Sequence, residues 1–343
     1  MKISSSDYKK FFLNKNIVDC VVRDRNIFYF LTREDYKKWS RKKLDLEVSP
    51  PPDEEDIQKH VVPWMRSKEP SQQWTAGNLD GFNTLLAGVS IKPKPQFVGV
   101  DSYGHVYATG SKENGIEDDI QSFSSGGPKR GGVRKLKNIN GWLYFCGGNN
   151  SLGKRVEKGK WQSFSQFIPN PDRKDNLSNT FEDLDGYSEQ DIYCVGDGGQ
   201  VYHFDGMKWD LTLIPTNIDF ETVCCAGDGF VYISGEKGTT FKGRGSRWEL
   251  IHKGNSTLPF RDMVWYEDRV WCTSDHGVWT IKDDKITTAE IPDGMSAYAG
   301  NLSTADGVLL LAGYGGAAFL ENGQWTKVFS VAEMSKLISA EKK

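Results

Sequence analysis

The sequence predicts an all-β chain: a seven-bladed β-propeller with a small inserted α-helical segment and a short C-terminal helix. Three observations carry this: a fixed repeat period, a pair of large apolar residues before each turn with an aromatic second in six of seven copies, and a tryptophan at the start of the last strand of most repeats. The template is IYCVGDGGQVYHFDGMKW, from Ile192 to Trp209. It reads as a strand, a glycine turn, a second strand, another glycine turn and a tryptophan that opens a third strand. It returns as VYISGEKGTTFKGRGSRW from Val231, VWCTSDHGVWTIKDDKI from Val270 and LLLAGYGGAAFLENGQW from Leu309. The turn-opening residues Gly196, Gly235, Ser274 and Gly313 follow one another at intervals of 39 residues. A period near 40 with several strands per unit is the signature of propeller blades.

Thr32, Gly110 and Gly148 extend the row of turn-openers. Four and three residues before them come Phe28-Tyr29, Val106-Tyr107, Tyr144-Phe145, Ile192-Tyr193, Val231-Tyr232, Val270-Trp271 and Leu309-Leu310. Alternation along a strand puts one member of each pair on each sheet face, as blades packed on both sides require. An inner strand precedes each pair, as in TFEDL, DFETV, PFRDM and AYAGN, with VRKL and IVDC as weaker copies. Trp161, Trp209, Trp248 and Trp325 read as wedges between blades. The blades are placed at about 16–48, 96–125, 132–165, 180–214, 218–252, 259–290 and 298–329 of one domain spanning 1–343.

Two stretches break the period. From Gly148 to Gly196 the step is 48, and the surplus falls in the polar loop IPNPDRKDNLSN. From Thr32 to Gly110 it is 78, and residues 49–95 are read as an insertion. There SPPPDEEDIQKHVV offers a helix start, with Ile57, Val61 and Val62 at helical spacing and Pro63 as a stop. A second short helix is placed in LDGFNTLLAGV. Past Phe329, Ser330 and Glu333 form a capping box for a terminal helix at 330–343, with Val331, Met334, Leu337 and Ile338 on one face.

A net charge of −3 argues against nucleic acid and anionic membranes as partners. The N-terminus, MKISSSDYKKFF, does not read as a signal peptide, and no apolar run is long enough to span a bilayer, so a cytoplasmic monomer is expected. Cys20, Cys146, Cys194, Cys224, Cys225 and Cys272 are expected to be reduced and structural, since no C-x-x-C pair occurs. Cys146, Cys194 and Cys272 fall at one repeat position. The five histidines map to different blades, so no metal site is expected, and no cofactor. Asp183 and Asp185 read as a solvated turn.

No nucleophile elbow, P-loop, dinucleotide fingerprint or H-E-x-x-H is present, and no catalytic residue is assigned. The surface remains. The turns after each second strand and the links into each inner strand emerge on one face. Arg173, Lys174, Asp197, Glu236, Lys237, Arg261, Asp275, His276 and Tyr314 are the candidate partner-binding residues there. Matching inner-strand positions place Arg134, Glu182, Glu221 and Arg261 at the channel mouth. Loops on a rigid frame are where binding is usually located.

The G-D-G-G-x-V-Y-x-F-D-G-x-x-W stretch resembles bacterial propellers of the neuraminidase-repeat and photosystem-assembly-factor-like type, and is similar to kelch-like propellers. The resemblance covers residues 130–329 well and 16–110 loosely. Its nearest matches to the Asp-box, Ser274-Asp275-His276-Gly277-Val278-Trp279 and Gly196-Asp197-Gly198-Gly199, lack the full order, and WD-repeat dipeptides are missing from the expected places. Propellers of this look are, in several families, encoded beside secreted toxins and act as immunity proteins. The resemblance therefore implies a non-enzymatic propeller whose partner is a protein, a toxin domain being the most specific candidate. A carbohydrate-active or carbohydrate-binding propeller using the channel mouth, and an assembly factor for a larger complex, are the alternatives.

Overall fold

A computed structural model describes residues 2–38, 51–165, 168, 179–254 and 258–341. It contains seven four-stranded sheets, each built from four consecutive strands, at 15–79, 85–117, 133–163, 181–212, 220–252, 262–288 and 300–330. The chain is a seven-bladed β-propeller. It divides into two compact units, one of Met1–Leu85 with Ile291–Lys343 and one of Leu86–Glu290. Blades one and seven belong to the first unit, and blades two to six to the second.

Blade four shows why this sequence makes a blade. Its second strand is Asp191–Gly196, and every residue after Asp191 is buried. Ile192 and Cys194 point into a cluster with Tyr144, Leu184 and Trp209. Tyr193 and Val195 point the other way, to Phe220, Val231 and Ile233. One strand thus feeds two inter-blade cores, so the apolar run carries no polar alternation. Trp209 closes the first of these cores, and its indole N–H donates to the Phe164 carbonyl at 2.9 Å. The strand ends at Gly196 for a steric reason: a Cβ there would lie 1.8 Å from the Thr180 carbonyl oxygen. Gly147, Gly235 and Gly313 make the same approach, at 2.0, 2.0 and 2.1 Å from the oxygens of Gly132, Asp219 and Ala299.

That recurring contact corrects the repeat register in blade three. Gly147, not Gly148, is the counterpart of Gly196: Gly147 pairs with Val133 as Gly196 pairs with Phe181. Tyr144 rather than Phe145 therefore matches Tyr193, and Cys146 leaves the row of Cys194 and Cys272 for the position of Val195. Burial still explains these cysteines, since it pushes the thiols of Cys146, Cys194, Cys224 and Cys272 up.

The larger correction concerns 49–95. Among the described residues this segment contains no α-helix. Lys59–Met65 and Gly77–Leu79 are the third and fourth strands of blade one, and Leu85–Ser90 is the first strand of blade two. Val61 and Val62 are both buried because a third strand has a neighbour on each face. Pro63 is tolerated because its carbonyl, accepting from Thr75 N at 3.3 Å, points to the side where the short fourth strand has ended. Gly110 consequently closes the third strand of blade two, Val106–Gly110, and Tyr107 is not equivalent to Tyr193.

Between blades two and three lies a buried ion pair. Arg155, 0% exposed, donates to Glu117 at 2.6 and 3.3 Å and to Gln96 at 3.2 Å. Glu117 also accepts from Gly159 N at 2.9 Å.

The two α-helices lie at the ends of the first unit. In α1 (Ser5–Phe11), Ser4 caps Asp7 N at 3.0 Å. In α2 (Val331–Ala340), Ser330 caps Glu333 N at 3.4 Å, as the capping box predicts. Met334 and Ile338 are buried, but Leu337 is 45% exposed and lies off the packed face.

Candidate functional site

The first strands of blades three to six are innermost, each packing on the next. Blades three, four and five share a local device at the top of that strand. Pairing skips one residue between Cys146 and Gly147 against the first strand, between Phe181 and Asp183, and between Phe220 and Thr222. The skipped residues are Arg134, Glu182 and Glu221. A bulge frees a side chain from the sheet's alternation and re-aims it, and bulges concentrate beside functional sites. Three of the four residues placed at the channel mouth from sequence thus share a bulge position.

They also interact. Arg134 Nε lies 3.8 Å from Glu182 Oε1. Burial pushes the Glu182 carboxyl up, with Asp197 and Glu221 adding to the rise and Arg134 opposing it. Burial likewise raises Glu221, reinforced by Asp219, Asp197 and Glu236. Glu182 and Glu221 therefore share the opposing field of one arginine, Arg134, at this end of the second unit.

The turns bind to the neighbouring links and hold this rim in place. Thr180 N donates to Asp197 Oδ2 at 3.0 Å, and Asp197 N to the Thr180 carbonyl at 3.1 Å. Gly198 N reaches across to Asp219 Oδ1, in the link to the next blade, at 2.8 Å. Glu236 N donates to the Asp219 carbonyl at 3.2 Å. Glu236, Lys237, Asp275 and His276 are exposed, and Arg261 Nη1 lies 3.3 Å from Asp275 Oδ1. Tyr314, in the first unit, is 60% exposed in the corresponding turn of blade seven. Arg173 and Lys174 lie outside the described residues.

Beneath the rim the inner strands carry charge that their sequence positions obscured. Asp183 and Asp185 are not a solvated turn; both lie on the innermost strand Phe181–Ser188. Asp183 accepts from Thr222 Oγ1 at 2.8 Å and Val223 N at 3.0 Å, tying blade four to blade five. Lys137 stands 3.5 Å from Asp185. Burial works against its ammonium, but Asp185 and Asp183 outweigh burial and hold the proton more firmly than usual. Lys135 of blade three pairs with Asp262 of blade six. The signal for these residues was available: counted from the bulge, they occupy matching inner-strand positions.

No group of His, Cys, Asp and Glu among the described residues has the arrangement of a metal site. Burial holds the thiols of Cys146, Cys194, Cys224 and Cys272 protonated, which leaves them inert as ligands or nucleophiles.

No established family profile matches the sequence. The chain is similar to "Immune protein Tsi7" of Pseudomonas aeruginosa strain PAO1, with 26% identity over 247 residues, covering 72% of this chain and 80% of that protein. Among solved structures it is similar to the WD40 repeats of RRP9, with a TM-score of 0.57 and 11% identity over 91% of both chains. It is also similar to the WD40 β-propeller domain of Doa1, with a TM-score of 0.55 and 10% identity over 88% of this chain and 90% of that one. At such identities the structures speak for the fold alone, and the fold they support is the propeller.

Proposed function

We propose that the protein is a non-enzymatic immunity propeller that binds a cognate bacterial toxin in the cytoplasm and neutralises it by covering its working surface. The observation that carries this reading is the similarity to an immune protein along 72% of the chain. The rim supports it. Asp197, Glu236, Lys237, Arg261, Asp275 and His276 lie on or beside rigid turns, and Glu182 and Glu221 stand at the mouth despite the burial that disfavours their ionisation. Carboxylates held against that penalty suit a partner that brings compensating positive charge. The complementary toxin surface is then rich in Lys and Arg. The binding unit is a monomer engaging one toxin domain.

The test is co-expression with candidate toxins encoded near this chain in its native host. Protection of the cells, together with a 1:1 complex on size exclusion, supports the reading. Loss of viability despite soluble expression of both proteins, with no complex, would point to the assembly-factor or carbohydrate-binding reading instead.

A further inference from the structure

One turn on the rim of the second unit differs from its neighbours. Between the second and third strands, blades three to six offer Asn149, Asp197, Glu236 and Asp275, all polar. In blade two the same turn offers Tyr103, 56% exposed. Its main chain is fixed from below. Asp101, wholly buried, accepts from Tyr103 N at 3.0 Å, His105 N at 2.9 Å and His105 Nδ1 at 2.8 Å. Phe123, 49% exposed, lies on the link from blade two to blade three, and that link docks on the turn. Ile120 N donates to the Gly104 carbonyl at 2.8 Å. Lys129 accepts from Phe123 N at 2.7 Å through its carbonyl and donates to the Tyr103 carbonyl through its ammonium. Arg130 lies over the Phe123 ring at 5.0 Å and is itself held by the carbonyls of Ser165 and Ile168, at 2.8 and 3.2 Å. The turn also adjoins the mouth: Val133 N, one residue before the bulged Arg134, donates to the Ser102 carbonyl at 2.9 Å.

Resting on the immunity reading, we propose that Tyr103 and Phe123 are the apolar anchors of the partner-binding face, entering an apolar depression on the toxin domain while the carboxylates of blades four and five meet basic side chains beside it. Two aromatic rings left in water on a locked frame supply large contact area at little conformational cost, and such residues carry most of the affinity at protein interfaces. The neighbouring carboxylates set the occupant: Glu182, Glu221 and Glu236 attract a basic protein surface and repel nucleic acid or anionic lipid. The charges then steer and align the partner, and the rings hold it.

The experiment is calorimetry of the full chain against the toxin that forms the 1:1 complex on co-expression, at low and at high salt. Tyr103→Ala combined with Phe123→Ala is expected to weaken binding about 30-fold or more, the size of a hot-spot residue. The factor should be the same at both salts, because apolar contacts are not screened. Tyr103→Ala alone leaves the Arg130–Phe123 contact in place, serves if the double variant does not fold, and should lose about tenfold. Phe230→Ala is the control. Phe230 is likewise exposed and lies under a cation, Lys242 at 4.4 Å, but in the turn between the first and second strands of blade five, at the opposite end. It should bind as the wild type does. Full affinity in the rim variants, a loss that fades at high salt, or a loss confined to Phe230→Ala would overturn the proposal and leave the immunity reading standing. A wild-type chain that binds none of the toxins encoded beside it overturns the immunity reading and the anchors with it.

Discussion

Replacing Arg155 by alanine tests how the second unit is held together. Arg155 is 0% exposed and Glu117 7%, so each charge depends on the other for solvation. Removing the arginine leaves a carboxylate in the interior with only Gly159 N, at 2.9 Å, as a remaining donor. Breaking a buried pair from one side costs about 3–5 kcal/mol, most of it the penalty of the stranded charge. With roughly 2 cal/mol/K of unfolding entropy per residue, a 343-residue chain melting in one step should lose about 4–7 °C. Arg155→Met with Glu117→Leu removes both charges and should recover most of the loss, because an apolar pair of similar volume needs no compensation. The assay is thermal unfolding of wild type, single and double variants at pH 7. A single variant within about 1 kcal/mol of wild type, or a double variant as unstable as the single, would refute the reasoning.

Further outcomes follow from the turns and the mouth. Gly196→Ala should cost about 1–3 kcal/mol by forcing a methyl group against the Thr180 carbonyl, a Cβ position 1.8 Å from that oxygen. Gly198→Ala, with open space around its φ of +66°, should cost only the left-handed strain of about 1–2 kcal/mol; urea midpoints compare the two. Glu221 has a folded pKa raised by burial and by Asp219, Asp197 and Glu236, so its unfavourable contribution sets in as pH rises through that pKa. Glu221→Gln should therefore melt above wild type at pH 7 and level with it near pH 4; a variant less stable at pH 7 would show that the carboxylate serves the fold instead.

Most of the propeller was legible because sterics repeat. A glycine that meets a carbonyl oxygen at the second-strand end of blades three, four, five and seven, and an apolar–aromatic pair feeding two cores, leave a 39-residue mark that composition does not blur. The mark failed where geometry and spacing parted. In blade one the connection from Glu34 to Lys59 is long, and the interval from Thr32 to Gly110 happened to equal two periods, so KHVVPWM read as a helix and its proline as a stop. A strand buried on both faces has no alternation to betray it, and a proline whose missing N–H faces Thr75, outside the regular fourth-strand pairing, does little harm. In blade three the pair Gly147-Gly148 allowed a slip of one residue that only the close approach of Gly147 to Gly132 resolves. Register along the inner strands put Arg134, Glu182 and Glu221 at one repeat position, and the pairing skips all three. The bulge that re-aims them, and the buried roles of Asp183 and Asp185, depend on contacts between blades that no single repeat encodes.

The most direct measurement is the affinity of the co-expressed toxin for rim variants, by calorimetry at two salt concentrations. Replacing Glu236, Lys237, Asp275 and His276 by alanine should leave the melting temperature almost unchanged, since exposed turn residues rarely move stability by more than about 0.5 kcal/mol. The same variant should weaken binding at least about tenfold, because paired interface charges are worth on the order of 2–5 kcal/mol when one side is removed. Glu267, exposed in the turn between the first and second strands of blade six, marks the opposite end and serves as the control. Asp101 does not, being buried and bonded to His105 N at 2.9 Å. Weakened binding in the rim variant, with an unchanged Glu267→Lys, is the expected result. Full toxin affinity in the rim variant, or loss confined to Glu267→Lys, would contradict the assignment of this face.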